Sequence, residues 1–135
     1  EAIKVAVDTE SGQIRVLDVT SVNDVGKAIN PQQVEGQIEG AVVQAEGYAI
    51  TENFSQTNGE VNSDQLSTYL IPTVLDIPDS LHSVILEIPD PIGPWGARGM
   101  GEMPFLPVVP AIIAGFYDAT GIWFDEFPLT AQRIL

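Results

Sequence analysis

Cysteine is absent from the 135 residues, His82 is the one histidine, and lysine and arginine together number five. Each shortage removes a class of chemistry. Without thiols the chain has no disulfide framework, thiolate zinc site, iron–sulfur ligation or cysteine nucleophile of its own. Five bases against 19 acids give a formal net charge of −14. There is then no cationic patch to release counterions from a phosphate backbone, which argues against nucleic acid as a partner. No run approaches the ~18 apolar residues that suggest a membrane span. The opening Glu1-Ala2-Ile3-Lys4 has neither a basic leader nor an initiator methionine, so the chain is expected to begin within a longer protein. With 44% hydrophobic residues, residues 1–135 are read as one domain.

What is present falls into a clear order. Ile3, Val5 and Val7 alternate with polar or small residues, Thr9-Glu10-Ser11-Gly12 is a turn cluster, and Ile14, Val16 and Leu17 to Val22 resume a β-rich run. This predicts a hairpin. Asn30-Pro31-Gln32-Gln33 supplies a helix N-cap, a proline at the first helical position and a capping-box glutamine, so a helix is expected from Pro31 to Ala49. Asn58-Gly59 marks a turn. Ser67–Leu75 and Ser83–Ile88 read as strands, Val109–Ala119 as a buried helix ending at Gly121, and Ile122–Phe124 as a last short strand. The resulting order β-β-α-β-α-β predicts an α+β fold of two layers, with helices packed on one side of a mixed sheet.

The segment Gly96-Ala97-Arg98-Gly99-Met100-Gly101-Glu102-Met103-Pro104 is the strongest functional signal. Its glycines allow positive φ and close approach, successive N–H groups there can form an anion-binding concavity, and one carboxylate follows directly. A tight turn whose Glu102 merely favours the positive end of the next helix would carry the same residues. Arg98 is the only Lys or Arg between Lys27 and Arg133. It is open to two readings, pairing with a local carboxylate or offsetting an anionic ligand.

The first helix sorts into bands at ~100° per residue. Val34, Ile38, Val42, Ala45 and Ala49 make an apolar band, while Glu35, Glu39 and Glu46 are expected on a solvated face. Gly36, Gly40 and Gly47 form a packing groove for backbone or ligand, each glycine costing roughly 1 kcal/mol against alanine. Gln33, Gln37 and Gln44 lie between the apolar and glycine bands, facing neighbouring backbone or a polar ligand.

These residues also carry a resemblance. Asp24-Val25-Gly26-Lys27-Ala28-Ile29-Asn30-Pro31, Val34-Glu35-Gly36-Gln37-Ile38-Glu39-Gly40 with Gln44 and Gly47, Tyr69-Leu70-Ile71-Pro72, Gly93 to Glu102, Asp118-Ala119-Thr120-Gly121 and Pro128-Leu129-Thr130 follow one another collinearly over nearly the whole chain. They resemble the C-terminal portion of the molybdenum-cofactor-binding large subunit of the xanthine dehydrogenase, aldehyde oxidase and carbon monoxide dehydrogenase family. The resemblance implies a catalytic role for Glu102 as the general base beside the molybdenum, accepting a proton as oxygen derived from water attacks an electrophilic carbon. It implies a pterin contact for Gln37 and places the backbone of Gly96, Ala97, Arg98, Gly99, Met100 and Gly101 along the cofactor. No metal ligand is assigned to this chain. Gln44 is expected to act mainly through helix packing.

Further implications concern what lies outside the chain. The cofactor is shared with upstream parts of the large subunit, while iron–sulfur and FAD modules sit on other domains or subunits. The enzyme acts on a small-molecule substrate and is cytoplasmic, and the isolated chain is inactive. Four positions depart from the family pattern: Arg98 where lysine is frequent, Met100 where valine is usual, Met103 where proline is common, and Ala45 where glycine often follows Gln44. The competing reading is a non-catalytic assembly or scaffold module of such a complex.

Overall fold

The computed structural model describes all 135 residues. The expected hairpin is β1 (Ala2–Val7) against β2 (Ile14–Asp24), antiparallel, with a bulge at Lys4/Val5. Gly12 at φ +72° turns the connection, and the Asp8 carboxylate accepts from the Glu10 and Ser11 amides. After helix α1 (Pro31–Glu46) and a small hairpin of β3 (Gln56–Thr57) and β4 (Glu60–Val61) around Asn58-Gly59, strand β5 (Ser80–Leu86) joins β2 in parallel. The main sheet is therefore mixed, in the order β1-β2-β5. Helix α2 (Val108–Thr120) lies against β1, and α1 against β5 and α2, while the short helix α3 (Ala131–Ile134) closes the chain.

The core forms between the sheet and the two long helices. Val16 and Val19 of β2 meet Val42, Ala45 and Ala49 from the first helical segment and Val108, Ile112 and Phe116 of α2. Gly115 brings α2 so close to β1 that a Cβ there would lie 3.0 Å from Val5 Cγ2. By length and composition Met103–Thr120 would suffice to cross a membrane, yet Ile112 and Phe116 within it are wholly buried in this core. Gly121, at φ +73°, caps α2 as the sequence predicts.

Asn30 caps α1 by accepting from the Gln33 amide at 3.2 Å. Instead of ending at Ala49, the helix widens after Glu46 into a π-helical turn, Gly47–Thr51, closed by Glu52 N–H donating to Gly47 O. A widened turn adds one residue to the ring and re-aims the chain. Here it presents Gly47 to Pro72, whose Cδ and Cγ would lie 2.6 Å from a Cβ at that position.

Three expectations are corrected. Ser67–Leu75 is not a strand: the Thr68 and Tyr69 amides both donate to Gln65 O, and Asp76 accepts from the amide and hydroxyl of Thr73. Local turn bonds have replaced a ladder, and Pro72 has no N–H to offer one. Ile122–Phe124 is also irregular. After the reversal at Gly121, Phe124 packs edge-on against Phe116 and Trp123 against Tyr117, so these aromatics cover α2 rather than extend the sheet. Third, Glu46 is not on a solvated face. It is 6% exposed, because the segment around Asp76 folds over that edge of α1.

Candidate functional site

The glycine loop is held to the end of β2 by a dense set of main-chain bonds. Arg98 N–H donates to Val25 O at 2.9 Å, and Gly96 O accepts from Lys27 N at 2.7 Å and from Asp90 N at 2.9 Å. Gly26 and Ala97 form an isolated antiparallel bridge. Gly26 stands at φ +62° with Gly96 O where a Cβ would be, so this crossing requires glycine on steric grounds.

Three carboxylates rivet the same junction. Asp24 accepts from the Gly26 and Ile88 amides and pairs with Arg98 Nη1 at 2.9 Å. Asp90 accepts from the Ile92 and Gly93 amides, which hold its carboxyl below the usual range with help from Arg98. Glu87 pairs with Lys27 at 3.0 Å and accepts from Ala28 N–H, and its carboxyl is likewise held low, chiefly by Lys27. Of the two readings of Arg98, the structure thus displays local pairing: its Nε also lies 3.3 Å from Asp90.

The far end of the loop meets the glutamine stripe. Gln37 Nε2 donates to Gly101 O at 3.1 Å, and Gln44 Nε2 lies 3.5 Å from Glu102 Oε1. One helical face therefore grips consecutive loop residues. Gln44 is exposed and directed at Glu102, which corrects the expectation that it serves helix packing. Its place in the stripe was legible, but the carboxylate it addresses lies 58 residues away.

Glu102 precedes a single 3-10 turn, Met103–Phe105, that packs on α1. Helix α2 begins only at Val108. Glu102 is thus the N-cap of this turn and precedes the start of α2 by six residues.

Between the start of α1 and the loop lies an open cleft of about 600 Å3, lined by Gln33, Gly36, Gln37, Ala97, Arg98 and Met100 among others. Beyond the adjoining backbone, no atom lies within 4 Å of where a Cβ would stand at Gly36, Gly40, Gly99 or Gly101. The expected packing groove is therefore open at Gly36 and Gly40, and only Gly47 of that band is filled by the protein itself.

Residues 1–78 match the family described as the molybdopterin cofactor-binding domain. The chain belongs to this family. Over 134 residues it is 31% identical to the "Xanthine dehydrogenase molybdenum-binding subunit" of Escherichia coli O157:H7, covering 98% of this chain and 18% of that protein. Quinoline 2-oxidoreductase from Pseudomonas putida 86 superposes with a TM-score of 0.89 at 36% identity, over 96% of this chain and 17% of the other. Aldehyde oxidoreductase from Desulfovibrio desulfuricans ATCC 27774 gives 0.90 at 34% identity, over 97% and 14%. These relatives are oxidoreductases. This molybdopterin cofactor-binding chain spans less than a fifth of their length.

Proposed function

We propose that this chain is the C-terminal part of the large subunit of a molybdenum hydroxylase and that Glu102 is its general base. The observation that carries this reading is the convergence of Glu102, Gln44 and Gln37 at the end of a loop fixed independently to β2. The site residues proposed for cofactor contact are Gln37 and the loop backbone from Gly96 to Gly101.

The cleft suits a large, polar heterocyclic group. Gly36 leaves open space on the helix side, and the uncharged amides of Gln33 and Gln37 line it. Amides both donate and accept, which matches the mixed edge of a pterin. When bound, the molybdenum cofactor supplies the redox centre that takes up electrons from the substrate carbon. The chain's own part is to hold the carboxylate of Glu102 in place and receive a proton there. A base within hydrogen-bond reach of the group it deprotonates contributes in this way.

The deciding experiment is Glu102→Gln in the full-length enzyme, with turnover and molybdenum content measured on one preparation. Normal turnover at full metal loading would instead favour a scaffold role. A second expected result concerns the cofactor grip: Gln37→Ala removes the exposed hydrogen bond to Gly101 O, worth about 0.5–1.5 kcal/mol. Earlier cofactor release on mild heating is the readout, and an unchanged release profile would discard the contact. The isolated 135-residue chain should hold less than stoichiometric molybdenum, because it presents one helix face and one loop of the site. Elemental analysis of the purified chain checks this, and one metal per chain would contradict it.

A further inference from the structure

Glu46 is the only acidic residue buried in this structure. Its Oε2 has neither a hydrogen-bond partner nor solvent contact. It lines a second cleft, of about 610 Å3, at the opposite end of α1 from the first, with Arg15, Ile50, Leu70, Leu75, Asp76 and Ile77 among the walls. A buried carboxyl with no partner is costly whether it is charged or neutral, and proteins satisfy such groups with a cation or a hydrogen bond. The other charged groups nearby are engaged. Arg15 is held by Asp79 at 2.8 Å, Glu52 accepts from the Tyr69 hydroxyl, and Asp76 is tied to Thr73 while adding a second negative charge.

The surroundings select the occupant. Leu75 is 91% exposed and Leu70 53%, with Ile71 and Val74 alongside. An apolar cleft with an acidic floor fits the stem and charged end of a long basic side chain. A second copy of this chain is poorly equipped to supply one. Arg15, Lys27 and Arg98 are in ion pairs and Arg133 donates to Pro128 O, which leaves Lys4, within strand β1.

We propose that this cleft docks a segment of the enzyme's own polypeptide outside these 135 residues, carrying a lysine or arginine that pairs with Glu46. This rests on the reading of the chain as part of a longer enzyme, consistent with its 18% and 14% coverage of relatives, and not on the role of Glu102. Without that cation, burial and then the charge of Asp76 push the Glu46 carboxyl up to about 8. With it, the carboxyl stays ionised at neutral pH.

The test uses the full-length enzyme and does not read activity. Infrared difference spectra between the native enzyme and Glu46→Gln, from about pH 6 to 9, should show an ionised carboxylate throughout. Amide exchange in Ser11–Val16 and Leu70–Ile77 should accelerate at least ~10-fold in Glu46→Gln, as the docked segment loosens. Leu75→Asp alters an exposed wall rather than the core and should accelerate exchange in the same segments, which keeps the proposal testable if Glu46→Gln fails to fold. A protonated carboxyl band at about pH 6 that disappears near pH 8 would overturn the proposal. Unchanged exchange in the variants that fold would overturn it equally.

Discussion

Glu102→Gln in the full-length enzyme is expected to lower turnover by ~10²–10⁴-fold, the range for removal of a general base, while the protein keeps its fold and most of its molybdenum. Glutamine preserves the size of the side chain and its capacity to meet Gln44, so the lesion falls on proton acceptance. The structure gives Glu102 no fold-stabilising ion pair to lose: it is exposed, and its one side-chain hydrogen bond is the 3.5 Å approach of Gln44. Its backbone carbonyl, which accepts from Phe105 N–H at 3.0 Å, is untouched by the substitution. A helix-dipole acid would instead cost about 0.3–1 kcal/mol of stability and leave the rate intact. Measuring metal content, melting temperature and turnover together separates these outcomes, and a variant with full metal and near-native turnover ends the catalytic assignment.

Gly26→Ala should strongly destabilise the junction between β2 and the loop. At φ +62° an alanine is strained, and its Cβ would collide with Gly96 O and stand 3.0 Å from Arg98 N. The carbonyl cannot simply retreat, because it accepts from both Lys27 and Asp90. Left-handed strain of about 1–3 kcal/mol and one or two weakened hydrogen bonds of about 1 kcal/mol each together predict a loss of roughly 2–5 kcal/mol. The loop should detach from β2, carrying Glu102 away from Gln44 and releasing cofactor in the assembled enzyme. Gly59→Ala is the control: Gly59 also has positive φ, at +87°, but open space around it, so it isolates the strain from the collision. Equal losses for the two substitutions in denaturant unfolding would show that the β2–loop crossing is not the determinant.

Much of the fold was legible because its signals are local. The alternation in Ile3, Val5 and Val7, the Asn30-Pro31 cap and the Gly121 stop each act over a few residues, and the structure contains the corresponding hairpin, helix start and helix end. The glycine loop was equally visible, as was the side of α1 that carries Gln37. The failures are of a different kind. Ser67–Leu75 and Ile122–Phe124 have strand-like composition, but a strand needs a free edge at the right place. The first segment instead satisfies its amides in turns over Gly47 and Glu46, and the second gives its aromatics to α2.

By itself, then, the sequence determined the mixed α+β order, the capped helix and the residue types available for chemistry: one loop carboxylate, a row of amides and no thiol. Tertiary structure alone decided their partners. Arg98 belongs to Asp24 and Asp90, which lie 74 and 8 residues before it in the chain, and Gln44 meets Glu102 across 58 residues. Glu46 shares its helix band with Glu35 and Glu39, which stay exposed, and differs only in what a distant segment lays over it. Periodicity reports the direction in which a side chain leaves its own backbone. Whether that direction ends in water, in a carboxylate or beneath another segment depends on contacts between residues far apart in the chain, which no local pattern encodes.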